Sequence, residues 1–279
     1  MDRKAFHFLA SLATNIGGLT DSNNMSTTKK LAMFLNISAH YEKNSPNPVA
    51  EDETDDRWKW FKGCLGALDG TYIPIRVLTI YKPRYRTRKG DITTNVLGVS
   101  DRNLNFTYVL PGWEGSAADG RVLRDVVVRR NGLKVPEGGY TNGNGFLSRY
   151  RGYRYWLRDW QGDNPSPQCQ EELFNMKHAR ARNVIKREFG VVKGRCGILK
   201  SPSWYSVKIH TRIISACCLL HNFIRREMEV DPLDMETEFN MEHQHEHEHG
   251  NIDTVEPSDE WTTWRDELAQ SMWNERSGN

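Results

Sequence analysis

One stretch of the sequence, Cys64-Leu-Gly-Ala-Leu-Asp-Gly-Thr-Tyr-Ile-Pro-Ile75, places a single acid, Asp69, inside an apolar run that predicts a β-strand. A carboxylate in such a strand is costly to bury unless a cation or hydrogen bonds compensate its charge. Asp69-Gly70 between apolar runs is also a strong signal for the turn of a β-hairpin. The residues therefore leave two interpretations open: a turn aspartate, or a metal-binding acid on a central strand.

Further strands and then helices follow this stretch along the chain. Residues 94–100 and 105–110 predict two more strands, joined by a turn at Asp101. Apolar residues at helical spacing predict helices at 116–128, 171–192 and 207–228. A run of strands followed by helices packs as a sheet with helices against it, so the expected fold class is α/β (α+β).

The composition divides the chain into five segments. Residues 1–41 carry two helical patterns and predict a short helical N-terminal arm. Residues 42–57 are polar and contain proline, which predicts a linker before the domain at 58–228. Residues 229–258 are poor in apolar side chains and predict a disordered acidic tail. Residues 259–273 predict an amphipathic helix suited to docking, with an apolar stripe of Trp261, Trp264, Leu268 and Met272.

The formal net charge of +2 hides an uneven distribution along the chain. Lysine and arginine outnumber acids by more than two to one over residues 76–130 and again over 149–212. Residues 229–260, by contrast, contain acids and neither lysine nor arginine. A basic body of this kind suits a polyanionic partner.

The cysteines and the apolar content predict a soluble intracellular protein. Five cysteines form no Cys-x-x-Cys pair and are odd in number, which indicates reduced thiols in the cytosol or nucleus. No stretch is apolar for long enough to span a bilayer, so we expect no membrane association.

Six motifs between residues 58 and 228 resemble the PIF/Harbinger transposase family and its domesticated nuclease relatives. They are Leu68-Asp-Gly-Thr-Tyr-Ile73, Tyr85-Arg-Thr-Arg-Lys-Gly90, Asn95-Val-Leu-Gly-Val99, Gly112-Trp-Glu-Gly-Ser-Ala-Ala-Asp119, Phe174-Asn-Met-Lys-His-Ala-Arg-Ala-Arg-Asn-Val-Ile185 and Cys217-Cys-Leu-Leu-His-Asn-Phe-Ile-Arg225. The resemblance implies an RNase H-like DDE domain, in which helices flank a mixed sheet. It also implies a nuclear protein, with a cytoplasmic pool as an alternative.

The resemblance further implies that three carboxylates hold two divalent metal ions, Mg²⁺ or Mn²⁺, for cutting and joining DNA. Two metal ions clamp the attacking and leaving oxygens of a phosphodiester. Mg²⁺ suits a site of few carboxylates that substrate phosphates complete. Asp69 falls on the family's first catalytic acid, at the first strand.

The third acid of the family pattern is replaced in this chain. Where relatives have Arg-Asn-Val-Ile-Glu, this chain has Arg182-Asn-Val-Ile-Lys186, so Lys186 disrupts the catalytic position. Glu188 is a candidate substitute, but it lies two residues on and therefore points roughly 200° round the helix. The Lys186 ammonium is expected either to repel metal ions or to pair with Asp69 in their place.

The second acid of the family also lacks a direct counterpart. The strand that carries it looks deleted between Leu133 and Gly139, which leaves Glu137 as the nearby acid. Asp119 is the alternative catalytic and metal-binding acid, because the family keeps an aspartate in Gly-Ser-Ala-x-Asp. A helix that starts with Ser116 as its N-cap would place Asp119 in the first turn, where the helix dipole favours an acid.

Basic residues predict the contacts with nucleic acid. Tyr85-Arg-Thr-Arg-Lys89 mixes positive charge with an aromatic side chain in a loop, which suits contacts with phosphates. The predicted DNA-contacting residues are Arg84, Arg86, Arg88, Lys89, Arg182 and Lys193.

The function expected from the sequence is a Harbinger transposase-derived nuclease-like protein with impaired catalysis. One alternative is an active metal-dependent endonuclease that uses Asp69 with Asp119 or Glu188. Another is a non-catalytic nuclear protein that binds DNA or chromatin and takes a protein partner through the C-terminal helix. The last is a decaying transposon copy that folds poorly.

Overall fold

The computed structural model describes residues 47–130, 132–133, 146–161, 165–228 and 259–278, and isolated positions at 7, 11, 14–15, 20–22, 26–27 and 233. The N-terminal arm predicted at 1–41 and the acidic tail predicted at 229–258 lie outside the described residues, apart from those isolated positions. The deleted fourth strand and Glu137 were predicted in a region that is also largely outside them.

The sheet contains three antiparallel strands in the order β1-β2-β3 among the described residues. They are β1 Ala67–Pro74, β2 Thr93–Ser100 and β3 Phe106–Glu114. Asp69 lies opposite Gly98 in the β1–β2 ladder, in the interior of β1. The interpretation of Asp69-Gly70 as a hairpin turn was therefore wrong, and the prediction of a strand through Asp69 is confirmed.

Helices cover both faces of this sheet. The α-helices in the described part of the chain are α1 Lys82–Tyr85, α2 Asp119–Val128, α3 Gln170–Arg195, α4 Val207–Glu227 and α5 Asp259–Ser277. Alternate residues of β2 point to opposite faces: Leu97 packs with Val122 of α2, whereas Val96 packs with Ile185 of α3. The α/β fold class is confirmed, although the parallel pairing expected of a mixed sheet is limited here to the bridge between Ile75 and Ser203.

Gly98 sets how closely α3 approaches the sheet. A Cβ atom at this position would lie 2.6 Å from Cζ of Phe189 and 3.2 Å from Cδ1 of Ile185. Real Cβ atoms do not make a contact of 2.6 Å, so only glycine allows this packing without a shift. Because Asp69 is the neighbour of Gly98 across the ladder, the same close approach brings α3 to Asp69.

Two polar residues of α4 anchor the β2–β3 connection. The side chain of Asn222 accepts a hydrogen bond from Phe106 N (2.9 Å) and donates one to Phe106 O (2.7 Å). His221 Nε2 donates to the carbonyl of Leu104 (3.0 Å). The backbone of Leu104 is in the left-handed region, with a φ of 62°. His221 is fully buried, so this part of the Leu-His-Asn motif stabilises the fold.

The C-terminal helix α5 packs against the chain's own domain. Its side chains Ala269 and Met272 are buried, and Leu268 and Trp273 pack around them in the cluster that contains Phe174 of α3. Leu268 and Met272 of the apolar stripe that predicted docking therefore pack against the chain itself. Val49, in the segment predicted as a linker, is also buried in this cluster. Among the described residues, no helix has both the length and the apolar character needed to cross a membrane.

Candidate functional site

Asp69 is almost completely buried, and its carboxylate is neutralised by an arginine. Its Oδ1 atom accepts hydrogen bonds from the backbone N of Gly70 (2.8 Å) and from Nη2 of Arg182 (2.5 Å). The side chains of Asp69 and Arg182 are 2% and 16% exposed. Burial acts to lower the pKa of Arg182, but the carboxylate of Asp69 and the hydroxyl of Tyr155 together outweigh it and raise the pKa above its usual range. The result is a largely buried ion pair between β1 and α3.

A chain of hydrogen bonds through Tyr155 and His178 holds the guanidinium of Arg182 in place. Its Nη1 atom donates to the hydroxyl of Tyr155 (3.4 Å), which lies 3.0 Å from Nδ1 of His178. Nε2 of His178 is 3.1 Å from the carbonyl of Leu147. Burial, together with the charge of Arg182, lowers the pKa of His178 to about 4. A neutral imidazole has one N–H, so Nε2 donates to Leu147, Nδ1 accepts from Tyr155, and the chain runs in one direction.

Lys186, at the disrupted third-acid position, lies one helical turn after Arg182. Its ammonium is 5.0 Å from the ring centroid of Trp156. The guanidinium of Arg149 is 5.8 Å from the same centroid and 4.8 Å from that of Tyr155. Arg182 thus forms an ion pair with Asp69, and the surface beside this pair carries further positive charge against aromatic rings.

Asp119 approaches β1 from the other side of the sheet, at the start of α2. Its Oδ1 atom accepts a hydrogen bond from Nδ2 of Asn95 (3.3 Å), and it would lie 3.5 Å from a Cβ atom on Gly70. Burial first, and then the charge of Asp69, raises the pKa of Asp119 to about 6. Asp119 therefore lies close to the residue that follows Asp69, and the two predicted acids are near enough for the charge of Asp69 to act on Asp119.

The start of α2 differs in detail from the prediction. The N-cap is Ala118, so the expectation that Ser116 caps this helix was wrong. The Ser116 hydroxyl instead donates to the carbonyl of Arg84 (2.7 Å). Asp119 occupies the first turn of the helix, as predicted.

Glu188 lies in a different part of the domain from Asp69 and Asp119. It is fully buried between α3, the sheet and α4, where its Oε1 atom is 3.7 Å from Nε2 of His221. Burial raises its pKa well above the usual range, and the nearby hydroxyl of Ser100 opposes this shift. Glu188 lies two residues after Lys186 on α3, so its side chain points in a different direction and enters the core. The structure does not bring it together with the other two predicted catalytic acids.

These residues, as they stand, do not fit a two-metal site. The described residues contain no group of three or more His, Cys, Asp or Glu side chains that could hold a metal ion. A divalent ion at Asp69 would lie against the guanidinium of Arg182, which already bonds Oδ1 of the carboxylate at 2.5 Å. The roles predicted for Asp69 and Asp119 as metal ligands, and for Glu188 as a catalytic acid, stay predictions.

A basic cleft of about 960 Å³ opens beside Asp119. One wall is a small hairpin closed by the bridge between Arg86 and Ile92, with Gly90 at its tip in the left-handed region (φ 96°). The lining includes the cationic residues Arg76, Lys82, Arg86, Arg88 and Lys89 and the acids Asp91 and Asp119. Positive charge therefore predominates in this cleft.

The predicted DNA-contacting residues fall into two groups. Arg86, Arg88 and Lys89 line the cleft. Arg84 is paired with Glu114 outside it, and Arg182 is paired with Asp69. Lys193 donates to Thr71 Oγ1 (2.7 Å) and Tyr72 O (3.1 Å), and burial lowers its pKa to about 8. These last three cations bond to the protein itself.

Several residues around these acids escaped the reasoning from sequence. Tyr155 and Arg149 were not singled out, although the run from Arg149 to Trp156 is dense in arginine and aromatic residues. Asn95 was quoted as part of a motif without a role. Its signal is an amide among apolar residues in a fully buried strand.

Comparison with known proteins assigns the family. The sequence model of the DDE superfamily endonuclease family matches residues 68–222, which is more than half of the chain. The chain belongs to this family. The matched part of the DDE endonuclease domain contains Asp69, Asp119, Arg182 and Lys186.

The relatives of this DDE-family chain support the same assignment. It is 28% identical over 203 residues to "Protein ALP1-like" of Arabidopsis thaliana, an alignment that covers 67% of this chain and 50% of the relative. It is 27% identical over 193 residues to "Putative nuclease HARBI1" of Homo sapiens, covering 65% and 53%. The chain thus spans about half the length of the curated relatives it matches. The resemblance to Harbinger transposase-derived proteins is confirmed, and no solved structure gives a match.

Proposed function

We propose that this DDE-family protein binds DNA and that its two-metal cleavage of DNA is impaired. One observation carries the proposal: Lys186 stands where the family pattern has its third acid, one turn of α3 after Arg182, which pairs with the carboxylate of Asp69. A two-metal mechanism requires a site that attracts four positive charges. Here Arg182 of α3 already compensates the charge of the first acid, and a metal ion would meet like charge at short range.

The hydrogen bonds that hold Arg182 in place make its ion pair with Asp69 difficult to break. A guanidinium that bonds both Asp69 and Tyr155 has a fixed orientation, and His178 fixes Tyr155 in turn. Displacing it would leave a largely buried arginine without its carboxylate, which costs several kcal/mol. The buried ion pair therefore serves the fold in the position where relatives are expected to hold metal.

The cleft is the part of the surface best suited to DNA. Arginine and lysine side chains that contact phosphates supply most non-specific affinity for DNA, and their release of counterions makes this affinity dependent on salt. Arg86, Arg88 and Lys89 place such groups on one wall. We propose a nuclear location for a protein with this ligand. A nuclear protein partner that binds α5 would have to contact the side of the helix away from Ala269 and Met272, because those side chains are buried.

We expect the Arg88→Ala, Lys89→Ala double variant to weaken binding of duplex DNA at every sequence tested. Each lost phosphate contact lowers the slope of log K against log salt concentration by about 0.9, so the slope should fall by about 2. Fluorescence anisotropy of a labelled duplex over a salt series measures both quantities. The matched control is the Arg124→Ala, Arg130→Ala variant, because both arginines are exposed and neither lines the cleft. Equal losses in the two variants would contradict binding in the cleft.

We expect the purified chain to nick supercoiled plasmid no faster than its Asp69→Asn variant, with either Mg²⁺ or Mn²⁺ present. The reason is that the metal site lacks its third carboxylate and carries Lys186 in its place, while Arg182 already pairs with Asp69. Gel separation of nicked and supercoiled plasmid over a time course measures the rates. Metal-dependent nicking that is lost in Asp69→Asn would overturn the proposed impairment and leave the proposed DNA binding intact.

That outcome would favour the second candidate, an active endonuclease built on Asp69 and Asp119. The observation in its favour is the coupling of the two acids, since Asp69 helps raise the pKa of Asp119 to about 6. A carboxylate whose pKa is raised by burial and by a neighbouring acid is typical of catalytic sites. In this case Asp119→Asn should abolish nicking as completely as Asp69→Asn does.

A further inference from the structure

Trp204 is the most exposed of the large apolar side chains in the described part of the chain. It is 86% exposed and lies at the rim of the basic cleft. Tryptophan is highly buried on average in folded proteins, because its large ring contributes much to a core when it is removed from water. An indole held in solvent beside a binding cleft therefore indicates a role in contacting a ligand.

The backbone that carries Trp204 is fixed on both sides. Ser203 forms a parallel bridge with Ile75, and its hydroxyl is 2.8 Å from Nδ1 of the fully buried His210. On the other side, Ser206 caps α4 by accepting a hydrogen bond from the backbone N of Ile209 (3.4 Å). Trp204 therefore projects from a short, anchored turn, and little conformational entropy would be lost when a ligand stacks on it.

Arg76 covers one face of the indole. Its guanidinium carbon is 3.9 Å from the ring centroid, and its Nε atom donates to the carbonyl of Pro202 (3.3 Å). Since the side chain remains 86% exposed despite this contact, the opposite face of the ring is open to solvent. Aromatic rings backed by arginine are effective platforms for planar groups that carry a π-system.

The charge of the cleft indicates what planar group would be bound. Five cationic residues and two acids line it, so the ligand is a polyanion. Nucleic acid combines regularly spaced phosphates with planar bases. In a continuous duplex the faces of the bases are stacked on their neighbours and are not available to Trp204, whereas an unpaired base offers its face.

We propose that Trp204 and Arg76 form a stacking platform for an unpaired base of single-stranded DNA. The phosphates of the same strand contact Arg86, Arg88 and Lys89 across the cleft. This inference rests on the proposed binding of DNA in the cleft, and it specifies the class of substrate: DNA with a single-stranded segment. The platform contributes affinity through the base and is tolerant of sequence, because every base has a π-face.

The test compares Trp204→Ala with Tyr205→Ala in the full chain. Tyr205 is the adjacent aromatic residue, is 51% exposed and does not line the cleft, so it is a matched control. The probes are a labelled single-stranded oligothymidylate and a labelled duplex of equal length, measured by anisotropy at one salt concentration. Thermal unfolding of both variants checks that the fold is unchanged, as expected for substitutions at exposed side chains.

We expect Trp204→Ala to weaken binding of the single strand about ten-fold, because stacking of a base on an aromatic side chain is lost. Affinity for the duplex should change less than about two-fold, and Tyr205→Ala should leave both affinities at the level of the unmodified chain. Trp204→Phe should retain most of the single-strand affinity, because it keeps an aromatic face.

Two outcomes would overturn the platform. One is equal single-strand affinity for Trp204→Ala and Tyr205→Ala, and the other is an equal loss for the single strand and the duplex. If the unmodified chain binds neither probe, the proposed function itself fails. This last outcome is distinguishable from a failure of the platform alone, in which the unmodified chain binds DNA normally.

Discussion

Replacing Arg182 by alanine is expected to lower the free energy of unfolding by about 3–5 kcal/mol, the range for removing one partner of a buried ion pair. The loss is large because the carboxylate of Asp69, whose side chain is 2% exposed, would remain buried without its cation. Chemical denaturation monitored by circular dichroism measures the change. The matched control is Lys186→Ala on the next turn, which removes a contact with an aromatic ring and should cost at most about 1–2 kcal/mol.

A double-mutant cycle separates the ion pair from the other contacts of Arg182. If Asp69 and Arg182 interact as the 2.5 Å contact indicates, the Asp69→Asn, Arg182→Met variant should be more stable than the sum of the two single losses predicts. Additive losses would contradict an interaction between Asp69 and Arg182.

Binding of Mn²⁺ provides a further measurement. The ion should stabilise Arg182→Ala more than the unmodified chain, because the vacated carboxylate can then accept a metal ion.

Acid is expected to destabilise the protein through His178 by about 3 kcal/mol between pH 6.5 and pH 4. Its pKa is lowered from 6.5 to about 4 in the folded state, mainly by burial. The unfolded chain therefore binds the proton first as the pH falls. The stability contributed by neutral His178 is complete above pH 6.5 and is lost as the pH falls to about 4.

The contribution of His178 is read from the difference between the unmodified chain and His178→Gln. The variant should be less stable at pH 7, because Tyr155 and Leu147 lose their partner, and its stability should depend less on pH in this window. Asp119 and Glu188 act in the opposite direction, because their raised pKa values favour the folded state as the pH falls. Both residues are present in the unmodified chain and in the variant, so their contributions to the pH dependence cancel in the comparison. Parallel stability curves would rule out the neutral, buried imidazole.

The elements themselves were predictable to within a few residues. The helix predicted at 171–192 is Gln170–Arg195, and the helix predicted at 207–228 is Val207–Glu227. The apolar residues of these two helices repeat at helical spacing over many turns, so the helices can be predicted without knowledge of the tertiary packing. The start of α2 at Asp119 was not predictable from Ser116, because the hydroxyl that could have capped the helix bonds Arg84, 32 residues away in the sequence.

Helix geometry predicted correctly that Lys186 and Glu188 would face different surroundings. Two residues along α3 separate a lysine over Trp156 from a glutamate buried beside Ser100. Nothing in the sequence, however, indicated which cation of α3 would reach Asp69. Lys186 was the candidate because it replaces an acid of the family pattern, and Arg182, four residues earlier, is a cation that forms an ion pair with Asp69.

The sequence by itself determined the α/β fold class, the family and the place of Asp69 on the first strand. Each of these follows from residues that are contiguous or in fixed order along the chain. The tertiary structure alone decided the charge state of the site: Arg182 neutralises Asp69, Asp119 approaches it past Gly70, and Glu188 is buried elsewhere. The physical reason is that desolvation and Coulomb interactions depend on distances of a few ångströms between residues far apart in the sequence.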